Sequence, residues 1–219
     1  TAPMPRKWQA ARELARIGDA QAVPALAALL DDDLVAELAR CALEAIPDPA
    51  AGEALRGALD RVQGRCLLGA IQSLGARRDS EAVAPLTRFL ADPAAPAGLA
   101  AIDALGKIGT GAAAQVLWSA QVETMPAAGS ARWGALLECA QGLRTRGDAA
   151  GALALWRDVR MSSAPAPTRA AAFRWTLLTD PGHAPAILAG QLSGDDSALY
   201  DAVLSVVREE TPRADVVDA

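Results

Sequence analysis

The amino-acid sequence predicts an all-α fold, a right-handed α-α superhelix of stacked helix pairs. Three observations predict it. The chain is 52% hydrophobic but only 4% aromatic, and Ala and Leu dominate it. Ala has the strongest helix propensity, whereas strands draw on β-branched and aromatic residues. Apolar residues recur at i, i+3, i+6 and i+7, which is one side of a helix. Helix-stopping residues then follow these segments at equivalent places along the chain.

The repeat is legible residue by residue. Val23, Leu26, Leu29 and Leu30 recur as Val83, Leu86, Phe89 and Leu90 at an offset of 60. Gly52, Leu55, Ala58 and Leu59 lie between them, 29 residues after the first set. A second kind of helix precedes each of these. Its apolar end reads Leu14/Ile17, Leu43/Ile46, Ile71/Leu74 and Leu105/Ile108. Gly18-Asp19, Pro47-Asp48, Gly75-Ala76 and Gly109-Thr110 are the stops. A Gly there suits a left-handed helix end. Asp19, Asp48, Asp79 and Thr110 are placed to cap the helix that follows. Ile46, before a proline, is pushed out of the helical region. The spacings Ile17–Ile46, Ile46–Leu74 and Leu74–Ile108 are 29, 28 and 34 residues. That is room for two short helices and two turns, a unit that buries its apolar stripe only by stacking on its neighbours.

Asp31-Asp32-Asp33, Ala91-Asp92-Pro93 and Asp195-Asp196 fall where one pair hands over to the next. Capping and solvation explain these acids. A calcium loop needs six to eight oxygens and a turn glycine, and no such pattern surrounds them. Residues 1–122 therefore read as regular repeats and 123–219 as less regular helical repeats continuing the same stack. In the second part the segment 123–131 breaks the pattern. A long helix is expected from about Ala131 to Arg146, and Gly147-Asp148 supplies a stop and a cap. Ala150, Leu153, Trp156 and Val159 form the stripe of the next helix. Ser162–Pro167 is a linker, and helices are expected near 168–178, 184–193 and 197–208. Trp8 begins the first helix with no earlier partner, and Pro212–Ala219 reads as the opening of a further helix. Both ends are therefore expected to continue in a longer protein or to pair end to end with another copy.

The run Leu14-Ala-Arg-Ile-Gly-Asp-Ala-Gln-Ala-Val-Pro-Ala-Leu26, and Leu105-Gly-Lys-Ile-Gly109, resemble HEAT repeats of the short, phycobilisome-lyase-like kind over residues 8–122. Cys139-Ala-Gln-Gly-Leu143 with Gly147–Leu153 resembles a tetratricopeptide helix pair. The first resemblance implies an armadillo-like α-solenoid used for protein binding. It extends to long bacterial HEAT-repeat proteins that are often exported, which implies an extracytoplasmic, periplasmic location over a cytoplasmic one. Such repeats carry an Arg early in the first helix. Here Ala36 and Gly98 occupy those places, so no charge ladder along the stack is expected.

The residues point away from catalysis. His183 is the only histidine and lies in a turn, which excludes a His-rich metal site and leaves no sequence-visible base for a nucleophile. It also excludes the helical-repeat di-iron hydroxylases, which use several His-Glu pairs. Cys41, Cys66 and Cys139 form no CxxC and are expected as buried free thiols. Gly106-Lys-Ile-Gly-Thr-Gly111 lacks the strand and the GKS/T end of a phosphate loop and reads as a structural turn. Glu209-Glu210 reads as a solvated helix end. No cofactor or metal is expected. No apolar run reaches the length of a membrane span. The net charge of −5 opposes nucleic-acid binding, which needs clustered Lys and Arg.

The expected function is a non-catalytic binding or scaffolding module that presents a concave helical surface to a protein or peptide. An accessory domain of a larger enzyme or exported protein is the alternative, and nucleic-acid binding ranks below both. By analogy with HEAT arrays the second helices line the concave face. Arg56, Thr87, Arg88, Gln115 and Trp118 are the outward positions expected to bind the partner. Of the other tryptophans in the second half, Trp133, Trp156 and Trp175 are expected as core filling, and Trp118, off the main stripe, at the surface.

Overall fold

A computed structural model describes residues 4–122 and 125–192, together with Leu204. The helix expected at 197–208, Asp195-Asp196, Glu209-Glu210 and the segment 212–219 lie outside the described residues. Among the described residues there are twelve α-helices and no strand. They are α1 (Met4–Ile17), α2 (Val23–Ala27), α3 (Ala36–Ala45), α4 (Pro49–Ala58), α5 (Gly64–Ala76), α6 (Val83–Thr87), α7 (Pro96–Ile108), α8 (Gly111–Ser119), α9 (Pro126–Thr145), α10 (Ala149–Arg160), α11 (Ala166–Thr179) and α12 (Ala184–Leu192). Single 3₁₀ turns precede α2 and α6. The chain is an all-α solenoid, and its contacts divide it into two compact units, Thr1–Gly142 and Leu143–Ala219.

In the first unit the helices form two layers. The first helices of successive pairs pack in order, α1 on α3, α3 on α5 and α5 on α7, while α2 lies against α4 and α6 against α8. The buried seam is built from the periodic residues. Ala39, Ala42, Leu43, Leu55, Ile71, Leu74, Ile102, Leu105, Ile108 and Leu117 are wholly buried. Each Leu or Ile so removed from water contributes about 1.5–3 kcal/mol, and the alanines let the helix axes approach. Glycine carries this furthest. A Cβ on Gly75 would stand 2.8 Å from Ala104 Cα, and one on Gly106 would stand 2.9 Å from Ala135 Cα. Both are contacts between a first helix and its counterpart one repeat later.

The caps follow the sequence closely. Asp19, Asp48 and Asp79 accept from the amides of Gln21, Ala50 and Glu81 at 2.9–3.0 Å. Thr110 accepts from the Ala113 amide at 3.2 Å. Ile46 is extended, as the following proline requires. Gly109 has φ +62 and ends α7 in the left-handed conformation, and Gly147 does the same after α9 with φ +89.

Two of the expected glycine stops are corrected. Gly18 and Gly75 are not left-handed. Gly18 is small because a side chain would strike the Leu14 carbonyl and crowd Ile46. Gly75 lies inside α5 at the α7 contact, and the left-handed residue is Arg78, φ +52. The Asp79 amide then closes back onto the Leu74 carbonyl at 3.1 Å, a closure that needs one left-handed residue whatever its identity. The long helix of the second half is also corrected. It starts at Pro126 rather than near Ala131, because a proline in the first turn surrenders an N–H that no helical carbonyl would have accepted.

Arginine ties do occur at one seam of the stack. Arginines outside the expected places tie the second pair to the third. Arg40 donates to the Gly69 carbonyl at 3.1 Å and the Ser73 hydroxyl at 3.2 Å, and Ser73 donates to Glu44 at 2.6 Å. Arg77 donates to the carbonyls of Glu44, Ile46 and Asp48 at 3.2, 2.6 and 3.1 Å, and to that of Leu43. It thereby satisfies the open end of α3, whose last carbonyls have no helical partner. On the other layer Arg56 pairs with Asp79, and Arg88 with Asp60 and the Leu59 carbonyl. Replacing Arg77 with Ala is expected to cost about 2–3 kcal/mol, read as a lower urea midpoint. Arg77→Lys should recover only part of it, since one ammonium cannot span four carbonyls.

The second unit packs α10 on α11. Trp156, wholly buried, stacks on Trp175 with ring centroids 6.1 Å apart and planes 16° from parallel. Arg144 lies 5.3 Å over the Trp175 ring and Arg160 lies 5.6 Å over Phe173. Phe173 and Ala170 gather Leu177, Ile187 and Leu188 into a small core that docks α12.

Candidate functional site

The second helices of the first unit are short, and their exposed sides follow from their sequences. In α8, Ala113, Ala114 and Leu117 are buried. At 100° per residue this turns Ala112, Gln115, Val116 and Ser119 outward on one side and swings Trp118 toward the other flank. In α6 the burial of Val83 and Leu86 leaves Ala84 and Thr87 outward. The two outward sides face each other across a groove of about 590 Å³ lined by Ser80, Glu81, Val83, Ala84, Thr87, Ala112, Gln115, Val116 and Ser119. Its floor is small and apolar, its rim hydroxyl and amide, and its one charged lining residue is Glu81.

A second cleft of about 310 Å³ adjoins it and shares Ser80 and Glu81, with Arg56, Arg77, Arg78 and Asp79 among its lining. Asp79 uses one carboxylate oxygen to cap the turn before α6 and the other to hold Arg56. Gly52 makes room for it, since a Cβ there would stand 2.7 Å from Asp79 Oδ2. The second amino group of Arg56 lies 3.5 Å from Glu81.

Of the five residues expected to bind a partner, Thr87 and Gln115 line the same groove. Arg56 lies in the adjoining cleft, half-buried and already paired. Arg88 lines neither space. It is tied to Asp60 and rests 4.8 Å over Phe89. Trp118 is 42% exposed and meets Trp133 edge-on at 6.1 Å, with Arg132 4.3 Å over the Trp133 ring. Sequence reasoning missed Ser80, Glu81, Ala84, Ala112, Val116 and Ser119. The i, i+3, i+4, i+7 run Ala112–Gln115–Val116–Ser119 was available to find four of the groove residues.

The residues with chemical potential are dispersed. The His183 ring Nδ1 lies 2.9 Å from the Asp180 carboxylate in an exposed turn. Cys66 and Cys139 are buried, the first donating to Asp33 at 3.2 Å and the second to the Leu105 carbonyl at 3.4 Å. Cys41 is exposed, contrary to expectation. It stands about 200° round α3 from the buried Ala39, on the side the neighbours leave open. Asp32 caps Leu34, and Asp33 pairs with Arg65 at 3.9 Å. Gly106 packs on α9 while Gly109 ends α7, so the Gly106–Gly111 run is a helix junction. Among the described residues no helix is long and apolar enough to cross a membrane.

One carboxylate on the first-helix layer is electrostatically perturbed. Partial burial and the nearby Asp103 push the Glu138 carboxyl up, against the opposing pull of Lys107 and Arg78. A carboxyl raised in the fold favours the folded state while protonated. Its contribution is complete below the unfolded value and is lost as pH rises through the folded one. The stability of wild type relative to Glu138→Gln should therefore fall across that interval, measured as the difference in urea midpoints between pH 4 and 7. A constant difference would contradict it.

Two comparisons bear on this geometry. Residues 66–127 match the family described as HEAT repeats, and residues 7–32 match the one described as PBS lyase HEAT-like repeat. The first match covers α6, α8 and the groove between them. No curated protein matches the chain.

Proposed function

Since this chain is a HEAT-repeat protein, we propose that it is a non-catalytic scaffold that binds a protein or peptide partner in the groove between α6 and α8. HEAT repeats generally serve as protein-interaction scaffolds, and the family is generally non-enzymatic. The observation that carries the reading is the groove itself. It is concave, built from two adjacent helices, apolar at its floor and rimmed by Thr87, Gln115, Ser80 and Ser119. Such a surface holds a ligand by shape and a few placed polar groups, and it contains no paired acid and base.

A photo-cross-linking residue at Gln115, and separately at Thr87, tests the reading in the source cell. Both should give the same adduct, and the same residue at the exposed Gln72 of α5 should give none. Equal labelling from Gln72, or none from the groove, would contradict it.

A further inference from the structure

We infer that the α6–α8 groove takes an extended peptide segment carrying an aliphatic side chain beside a basic one. The inference rests on the scaffold reading and specifies its ligand. The seam between the third and fourth pairs is asymmetric. On the first-helix layer Gly75 brings α5 into backbone contact with α7. On the second-helix layer α6 and α8 touch over a smaller area and leave the groove of about 590 Å³. Val83, Ala84, Ala112 and Val116 offer that space no large side chain, so a ligand's aliphatic group has room to enter.

The polar rim selects the backbone form. Thr87 is committed to the Val83 carbonyl, and Ser119 to those of Gln115 and Val116. The Gln115 amide and the Ser80 hydroxyl have no partner among the described residues and both are exposed. An extended segment brings free N–H and C=O groups to such side chains, whereas a helix has already paired its own.

Charge selects the flanking residue. Neither Val83–Thr87 nor Gly111–Ser119 contains a charged side chain. Glu81 is the single charge lining the groove, and its side chain is 76% exposed. Its partner Arg56 is held more closely by Asp79, and Arg77 is spent on four carbonyls. The chain's net charge of −5 attracts a cationic segment at longer range. An acidic flank would instead have to reach Arg78 in the adjoining cleft, past Glu81.

The test uses three synthetic hexapeptides, blocked at both ends and identical except for Lys, Gln or Glu after a central Leu. Each is titrated into the 15N-labelled full chain. The Lys peptide should shift the amides of Ser80–Thr87 and Ala112–Ser119 and bind about two- to fivefold more tightly than the Gln peptide, with the Glu peptide weakest. Glu81→Lys, whose circular dichroism should match wild type, should reverse the order. Equal affinities, a preference for Glu, or no shifts in the groove would overturn the inference. If the charge order fails while Gln115 still cross-links, the basic ligand falls and the scaffold reading stands. Loss of both removes both.

Discussion

Gly75→Val should destabilise the first unit by about 3 kcal/mol or more, the upper end of what overpacking costs. Position 75 has ordinary helical φ, so no relief from backbone strain offsets the change. The obstruction is backbone rather than a mobile side-chain tip. Ala104 Cα lies 2.8 Å and Ala104 Cβ 3.0 Å from where a Cβ would stand. Valine adds two further methyls, so α5 and α7 must separate along a seam that buries Ile71, Leu74, Ala101 and Leu105. Gly57 is the control. It lies within α4 with open space around it, and Gly57→Ala should stabilise by up to about 1 kcal/mol through helix propensity. Urea denaturation followed at 222 nm reads both. Equal effects at the two positions would mean that Gly75 is not at a helix contact.

Trp156→Ala should cost the second unit about 3–5 kcal/mol, as expected for a wholly buried aromatic. The ring is lost together with its stack on Trp175. Trp118→Ala should cost about 1 kcal/mol or less, because the ring is 42% exposed and gives up chiefly one edge-to-face contact. The contrast separates two tryptophans with the same composition signal. Thermal melts of the two variants measure it, and a larger loss at Trp118 would contradict the burial of Trp156 and the exposure of Trp118.

The helix pairs were legible because the signals that specify them are local. Periodic apolar residues, Asp and Thr caps and the Gly109 and Gly147 stops depend on a few neighbouring residues. What could not be read depends on residues a repeat away. Gly75 has the composition of a helix stop, but its size is set by Ala104. Arg78 takes the left-handed place because α5 runs on past Gly75 to Ala76. Arg77 carries no capping signal in its own helix, since the carbonyls it serves belong to α3. The site was half legible for the same reason. Outward positions on α6 and α8 follow from their own stripes, which brought Thr87 and Gln115 together. The pairing of Arg56 with Asp79 and of Arg88 with Asp60 depends on adjacent repeats, so these arginines were expected to be available when they are engaged.

Segments one repeat apart bury equivalent edges against each other. The most direct test is a nuclear Overhauser spectrum of the methyl-labelled chain. It should connect the Gly75 α-protons to the Ala104 methyl and the Gly106 α-protons to the Ala135 methyl, both across a full repeat. If both cross-peaks are absent and these glycines instead contact residues of their own helix pair alone, the stacked-repeat architecture is wrong.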